Sequence, residues 1–293
     1  MLSKMAFLSL FLFSNLFQHE VPDERKPYVI QFTNDARGGL FATFRVVLWC
    51  LDYYETHPDE CVGVTLSFTE PPYIDPKAGP NWWEYYFEPL AAKPPCARTI
   101  FLRRGDLGAL GRRNNNKMPL SRCHELLEKY IRLRAPLQEE IDHFAAANFA
   151  GTHMIGIHYR GTDKKKEAAR VSYEAFICAI HDITKDRPED QYKLFVATDE
   201  QAFLDAAKKE FGDRVIHIEC ERSLDPDKAL HYCTSDPYSQ GKSAVMDCYL
   251  LSRCEELIYT ESLLDHVVKM INPHITMWRV SEEKAESRST GLY

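Results

Sequence analysis

The amino-acid sequence predicts an α/β protein with two lobes. Three observations lead to this fold class: a strand-turn-helix pattern that begins near residue 28, a break after two helices near Gly151, and a regular alternation of strands and helices from residue 154 to residue 280. Such alternation is typical of a parallel sheet covered by helices. The 293 residues, 45% of them hydrophobic, suffice for one large domain or two lobes of ordinary size.

The first lobe is predicted to occupy residues 26–150. Residues 70–95 are rich in proline and aromatic residues without a clean period, which indicates a long ordered loop with short helices. The aromatic side chains there are interpreted as a hydrophobic cluster, with a sugar-stacking surface as the alternative. The predicted strands are 28–33 and 62–68, the turn is 34–39, and the helices are 40–54, 120–134 and 136–148.

The second lobe is predicted to occupy residues 151–281, followed by a polar tail at 282–293. Its strands alternate with helices that show 3.6-residue periodicity. A polar loop at 220–240 interrupts this order. The predicted strands are 154–159, 192–197, 215–219, 256–260 and 275–280, and the predicted helices are 172–184, 200–211, 242–253 and 262–271.

Charge and the N-terminus limit the partners. A formal net charge of −7 argues against nucleic acid, because such binding gains its energy from a basic surface. Residues 5–17 are almost all apolar and follow Lys4, so residues 1–25 are interpreted as a signal-like or anchor segment with its link. This predicts a secretory or weakly membrane-associated protein. The alternative is an N-terminal helix packed on the body of a cytoplasmic protein.

The nine cysteines include no Cys-x-x-Cys pair, so a zinc site is not expected. Their pairing stays open between reduced buried thiols and one or two structural disulfides. The sequence does not indicate an oligomeric state.

Polar side chains follow several predicted strands of the second lobe. In a parallel α/β sheet, ligands bind outside the carboxyl ends of the strands, so these residues are expected to converge on one crevice. They are His158, Arg160 and Asp163; Thr198 and Asp199; Ser239 to Ser243, just before a predicted helix; and Thr260 to Ser262.

The residue types in this set suit a nucleotide diphosphate. Arg160 presents a rigid fork of donors that matches phosphate oxygens. Asp199 and Asp247 are suited to accept from ribose hydroxyls or a base edge. The hydroxyls of Thr260 and Ser262 lie near a predicted helix N-terminus, where backbone N–H groups favour an anion.

Three segments resemble, in order, the GDP-fucose-binding motifs of the α1,6-fucosyltransferase family. That family includes enzymes that fucosylate the N-glycan core and rhizobial chitooligosaccharide fucosyltransferases. The similarity covers about 110 residues. The segments are IGIHYRGTDKKKEAARVSYEAF (residues 155–176), FVATDE (195–200) and YSQGKSAVMDCYLLSRCEELIYTESLLDHV (238–267).

The resemblance implies a glycosyltransferase type B fold, in which two Rossmann-like lobes face each other across a cleft. The donor, GDP-fucose, would bind the C-terminal lobe without a metal, and a glycan acceptor would bind mainly the N-terminal lobe. The loop NDARGGL (34–40), which contains Gly39, is loosely similar to the family's glycine-bearing first loop. The resemblance implies that His158 and Arg160 contact the donor diphosphate. It implies that Asp199 and Asp247 contact the nucleoside and that Ser262 binds phosphate. Ser243, Thr260 and Gly39 are also predicted to belong to the donor-binding site.

Glu167 matches the family's candidate catalytic carboxylate. An inverting transfer needs a base to take the proton of the attacking acceptor hydroxyl, and a carboxylate can do so. The neighbouring lysines, residues 164–166, are expected to lower its pKa, which keeps it ionised and weakens it as a base. The alternative is a solvated loop charge.

The sequence departs from the family at Gly161. The α1,6 enzymes carry two adjacent arginines where this chain has Arg160 followed by Gly161, and the loop to Glu167 is one residue shorter. Loss of one cation leaves two alternatives open. One is a glycosyltransferase that uses another nucleotide-sugar, and the other is a non-catalytic homologue that binds a nucleotide or glycan.

Overall fold

The structure of the protein, a computed structural model, describes residues 27–34, 39–90, 98–106, 118–161, 170–225 and 234–281. The signal-like segment at 1–25 and the polar tail therefore lie outside the described residues. In the described part, the first lobe contains a three-stranded parallel sheet with the order β2-β1-β3. Its strands are β1 Tyr28–Thr33, β2 Cys61–Ser67 and β3 Arg98–Leu102.

The first sheet buries its apolar residues against helix α1, Leu40–Thr56. Ile30 in β1 lies opposite Val64 in β2 and Ile100 in β3, so the sheet presents an apolar centre. Phe44 and Val47 of α1 are buried in the same cluster. Burial of this apolar surface holds the helix on the sheet, at roughly 25 cal/mol per Å² removed from water.

The aromatic residues after β2 form part of the core. Helix α2, Trp83–Tyr86, is a single turn, and Trp82, Trp83, Tyr86 and Phe87 are each 1% exposed or less. The Trp83 and Phe87 rings stack with centroids 4.4 Å apart. The interpretation as a hydrophobic cluster is therefore correct, and these buried side chains do not form a sugar-stacking surface.

The second lobe contains a five-stranded parallel sheet with the order β6-β5-β4-β7-β8. Helices connect its successive strands, as the alternating pattern predicts. The strands are β4 His153–Tyr159, β5 Tyr192–Thr198, β6 Val215–Ile216, β7 Glu256–Tyr259 and β8 Thr276–Arg279. The helices are α5 Tyr173–Thr184, α6 Gln201–Phe211, α7 Pro237–Leu251 and α8 Leu263–Ile271.

The two lobes share one apolar core. Helices α3, Leu120–Tyr130, and α4, Ala135–Asn148, precede the turn that contains Gly151, near which the lobe boundary is predicted. Helices α1 and α3 pack on α8, and α4 packs on α7. The buried cluster of the first lobe therefore continues onto one face of the second sheet, and a separate cluster beneath α5 and α6 fills its other face.

Four elements differ from the sequence-based prediction by more than two residues. Helix α3 ends at Tyr130 rather than at residue 134, because Ile131 is extended and Leu133 forms a bridge with Phe87. Strand β3 was not predicted, because it is short and follows a proline-rich stretch. Strand β6 has two residues rather than the five predicted at 215–219. Helix α7 begins at Pro237 rather than Lys242, because the Asp236 side chain accepts from the Ser239 N–H and Pro237 takes the first helical position, where no N–H is needed.

Among the described residues, no helix combines the length and apolar character that crossing a bilayer requires. The described cysteines are free thiols, which decides the open question of pairing for those positions: Cys50, Cys61, Cys123, Cys178, Cys220, Cys248 and Cys254.

A close contact joins α2 of the first lobe to the first turn of α7. The buried Tyr86 hydroxyl donates to the Tyr238 carbonyl at 2.9 Å. A Cβ atom built on Gly241 would overlap the Tyr86 hydroxyl and ring. The absence of a side chain at Gly241 is therefore what lets Tyr86 reach the helix.

We expect Gly241→Ala to lower the free energy of unfolding by about 1–3 kcal/mol, because the added methyl group overpacks a buried contact. Urea denaturation measures this loss. Gly105→Ala is the matched control, since a Cβ at Gly105 meets no atom within 4 Å and its φ is ordinary. Equal stability of the two variants would contradict the packing described here.

Candidate functional site

A cavity of about 800 Å³ opens at the carboxyl ends of β4 and β5. Helix α4 forms one wall and the first turns of α7 form another. This is where ligands bind in open parallel α/β sheets. The residues predicted to carry chemistry that line it are His158, Arg160, Thr198, Asp199, Ser243 and Asp247.

Arg160 lies at the end of β4 with its backbone held on both sides. Its N–H donates to the Thr260 hydroxyl at 2.8 Å, and that hydroxyl lies 3.3 Å from the Arg160 carbonyl, to which it donates. The guanidinium is 3.0 Å from the Asp199 carboxylate, and the side chain is 26% exposed. The cation is thus oriented by Asp199 and still accessible from the cavity.

His158 is fixed by a buried carboxylate from α8. His158 Nδ1 lies 2.5 Å from Asp265 Oδ1, and Asp265 is fully buried. Asp265 Oδ2 accepts the Ser262 N–H at 2.7 Å, while the Ser262 hydroxyl accepts the Leu264 N–H. This capping box starts α8 and also anchors the imidazole that lines the cavity.

Asp247 is an unsatisfied carboxylate in the cavity wall. Its Oδ1 is sealed from solvent and accepts no hydrogen bond from the described residues. Burial raises the pKa of Asp247 to about 7; the positive charge of Arg222 and His158 opposes the rise, and the Asp199 carboxylate adds to it.

Gly161, which follows Arg160, has no room for a side chain. A Cβ built on Gly161 would overlap Glu200 Oε1. Glu200 is 1% exposed, and its Oε2 binds the Arg170 guanidinium at 2.5 Å and accepts from the Tyr173 hydroxyl. Burial of the carboxylate raises the pKa of Glu200. An arginine at position 161 would therefore require this buried group to move.

The α4 wall was not predicted as part of a site. Its Glu139, Glu140 and His143 side chains face the cavity, and Glu140 pairs with Lys242 of α7 at 2.6 Å. In the sequence these residues form only the polar side of a helix in the first lobe. No local signal distinguishes them from any other solvated helix face.

Of the other predicted residues, Thr260, Ser262 and Gly39 do not line the cavity, whereas Ser243 lines it from within α7. Thr260 holds the backbone of Arg160, Ser262 caps α8, and neither is among the residues that line the cavity. Gly39 precedes α1 with φ −63°, away from the cavity lining, so neither space nor conformation demands glycine there. Ser243 lies inside α7, not before it, and its hydroxyl donates to the Ser239 carbonyl. Binding roles for these residues stay predictions.

Glu167 and Asp163 lie outside the described residues. Their positions relative to the cavity are therefore not assigned. Within the described ranges, no three histidine, cysteine, aspartate or glutamate side chains come close enough together to hold a metal ion.

Comparison with solved structures finds the same fold in fucosyltransferases. A NodZ α-1,6-fucosyltransferase soaked with GDP-fucose superposes with a TM-score of 0.57 at 17% identity, over 85% of this chain and 94% of that one. The fucosyltransferase NodZ from Bradyrhizobium gives 0.55 at 19% identity, with the same coverage of 85% and 94%. POFUT1 in complex with GDP gives 0.50 at 12% identity, over 88% of this chain and 99% of that one.

At these identities the likeness establishes the fold. The predicted glycosyltransferase type B arrangement of two Rossmann-like lobes is confirmed. The sequence matches no protein-family model and no curated protein.

We expect Asp247→Asn to stabilise the protein increasingly as pH rises from about 4 to about 7. The folded state binds a proton at Asp247 that the unfolded state releases, so wild-type stability falls with pH across this window, and asparagine removes that fall. Each unit of pKa shift is worth about 1.4 kcal/mol, so the gain at pH 8 is of the order of a few kcal/mol. Thermal unfolding across the pH range measures it.

Asp236→Asn is the matched control for this prediction. The Ser239 N–H lowers the pKa of Asp236, so this carboxylate stays ionised above about pH 4 in both states. The stability difference between that variant and wild type is expected to be flat from about pH 5 to pH 8. A flat difference for Asp247→Asn as well would show that Asp247 does not carry the raised pKa.

Proposed function

We propose that the protein is a glycosyltransferase that transfers fucose from GDP-fucose to a glycan hydroxyl, with inversion at the anomeric carbon. The observation that carries the proposal is that His158, Arg160, Asp199 and Asp247 line one cavity at the carboxyl end of a parallel sheet. The fold shared with NodZ soaked with GDP-fucose and POFUT1 in complex with GDP supports the choice of donor.

Arg160 is proposed to bind the donor diphosphate. The protein is acidic overall, so an anionic ligand needs a local cation rather than a general basic surface. A guanidinium bonded to phosphate oxygens contributes about 1.5–3 kcal/mol per charge-assisted hydrogen bond. Asp199 holds the side chain in place from one side and leaves it partly exposed to the cavity.

Asp199 and Asp247 are proposed to contact the nucleoside. Asp247 lines the cavity, and its carboxylate can accept from ribose hydroxyls or the N–H groups of guanine. Such a donor favours the ionised carboxylate, so nucleotide binding near neutral pH is expected to release a proton from Asp247.

Glu167 is proposed as the base of the transfer. It would take the proton of the acceptor hydroxyl as that oxygen attacks the anomeric carbon and the bond to the GDP oxygen breaks. Arg160 would stabilise the negative charge that develops on the departing diphosphate. We propose that this replaces a metal, which agrees with the lack of an Asp-x-Asp motif directly after a strand.

The acceptor and the cellular location are also proposals. We place the acceptor mainly on the N-terminal lobe, across the cleft from the donor. The apolar residues 5–17 support a secretory or membrane-associated location.

The lack of space for a side chain at Gly161 supports a second candidate function. Glu200 leaves no space for a side chain at position 161, where the α1,6-fucosyltransferases have a second arginine. The donor site therefore has one cation fewer. This favours either a glycosyltransferase that uses another nucleotide-sugar or a non-catalytic homologue that binds a nucleotide or glycan. Thermal-shift measurements with GDP-fucose, GDP-mannose and UDP-sugars separate the donors. Tight GDP binding with neither transfer nor hydrolysis of GDP-fucose would identify the non-catalytic homologue.

Arg160→Ala is expected to weaken GDP binding by a factor of ten or more, about 1.4 kcal/mol or above, because the diphosphate loses its cation. Isothermal titration calorimetry measures the affinity. Arg132→Ala, which removes an exposed arginine after α3, should bind GDP like wild type. Unchanged GDP affinity in Arg160→Ala would remove the central contact of the proposal.

Glu167→Gln is expected to keep GDP affinity and to lower the transfer rate by about 10²–10⁴, since the amide cannot accept the acceptor proton. Transfer of labelled fucose to a glycan array gives the acceptor, and its rate is then compared between variants. Glu174→Gln, at an exposed position in the first turn of α5, is the control with wild-type turnover. Wild-type turnover in Glu167→Gln would discard Glu167 as the base.

A further inference from the structure

We propose that Asp265 is a positioning residue that holds His158 in a single tautomer for the nucleotide. The inference rests on the proposed function, because it gives His158 a role in donor binding. Asp265 does not line the cavity and acts through the imidazole. The sequence alone gave no reason to assign Asp265 a role in the site.

Each oxygen of the Asp265 carboxylate has a separate hydrogen-bond donor. Oδ1 is 2.5 Å from His158 Nδ1, and Oδ2 is 2.7 Å from the Ser262 nitrogen. Asp265 is 0% exposed and His158 is 5% exposed, so water does not compete for either bond. Burying a carboxylate costs free energy unless it is hydrogen-bonded, so both hydrogen bonds of Asp265 stabilise the buried group.

This arrangement decides which nitrogen faces a ligand. An ionised carboxylate only accepts, so His158 Nδ1 carries the proton whether the ring is neutral or charged. Nε2 is then always the nitrogen left for the cavity. In the neutral ring Nε2 accepts from a hydroxyl or N–H of the nucleotide, and in the charged ring it donates to a phosphate oxygen.

The same carboxylate connects the imidazole to the start of α8. Ser262 is the N-cap and Asp265 the third residue of the capping box, and α8 packs on α7, which carries Asp247. The orientation of the His158 imidazole is therefore tied to where α8 begins. A strand end alone would leave the imidazole free to rotate about its side-chain torsions.

The competing explanation is that Asp265 only caps α8. Two variants distinguish this explanation from a role in positioning His158. In Asp265→Asn the amide oxygen still accepts from Nδ1–H when it faces the ring, but the N-cap loses its carboxylate partner. In Asp265→Ala both bonds are lost. If Asp265 only caps α8, the two variants should behave alike at His158.

The first measurement is the ¹⁵N spectrum of the histidine rings in the full-length protein, with His158 assigned by its loss in His158→Gln. Wild type and Asp265→Asn should show a protonated Nδ1 at His158, and Asp265→Ala should show a mixture of tautomers. A protonated Nδ1 that persists in Asp265→Ala would overturn the proposal. This result does not depend on which ligand the protein binds.

The second measurement is GDP affinity by calorimetry. Asp265→Ala is expected to bind GDP about tenfold more weakly or worse, and Asp265→Asn within about threefold of wild type. Ser172→Ala is the matched control, because it removes a similar N-cap bond from α5 on the opposite face of the sheet and should keep wild-type affinity. Equal affinity in wild type and Asp265→Ala would overturn the positioning role.

The outcomes distinguish this inference from the proposed function. If wild type binds no GDP, the proposed function and the link to the nucleotide both fail, while the ¹⁵N spectra still decide whether Asp265 sets the tautomer. If wild type binds GDP and Asp265→Ala binds equally well, only the role of Asp265 is lost.

Discussion

The candidate site depends on the parallel pairing of β4 between β5 and β7. In this register His158 lies opposite Ala197 on one side and Tyr259 on the other, and Tyr159 lies opposite Thr198. Three strands therefore end at the same height, and the residues that follow them meet at one edge. The hydrogen bonds between Thr260 and the Arg160 backbone are a direct product of this alignment.

Buried carboxylates at this edge are stabilised to different degrees. Asp265 has a donor for each oxygen, and Glu200 has its donors from Arg170 and Tyr173 on one oxygen. Glu200 Oε1 and Asp247 Oδ1 are both buried without a hydrogen-bond partner among the described residues, and burial raises the pKa of both carboxyl groups. Asp247 differs from the other two carboxylates because it lines the cavity, and a raised pKa at a cavity wall is typical of functional positions.

The two lobes are joined more closely than a pair of independent domains. The core beneath α1 and α3 continues onto α8, and Tyr86 of the first lobe reaches the first turn of α7, where Gly241 makes room for it. Because α4 and α7 both line the cavity, residues from both sides of Gly151 shape the site.

The sequence by itself determined the order of the elements other than β3, the parallel sheet of the second lobe, and the placement of His158, Arg160 and Asp199 at the carboxyl ends of its strands. Those features follow from local periodicity and from the rule that strand ends carry ligands. Only the tertiary structure decided that β3 completes the first sheet, that α4 forms a wall, and that Asp265 holds His158. These depend on contacts between residues more than a hundred positions apart, or on a strand too short to show a period, and no local pattern encodes them.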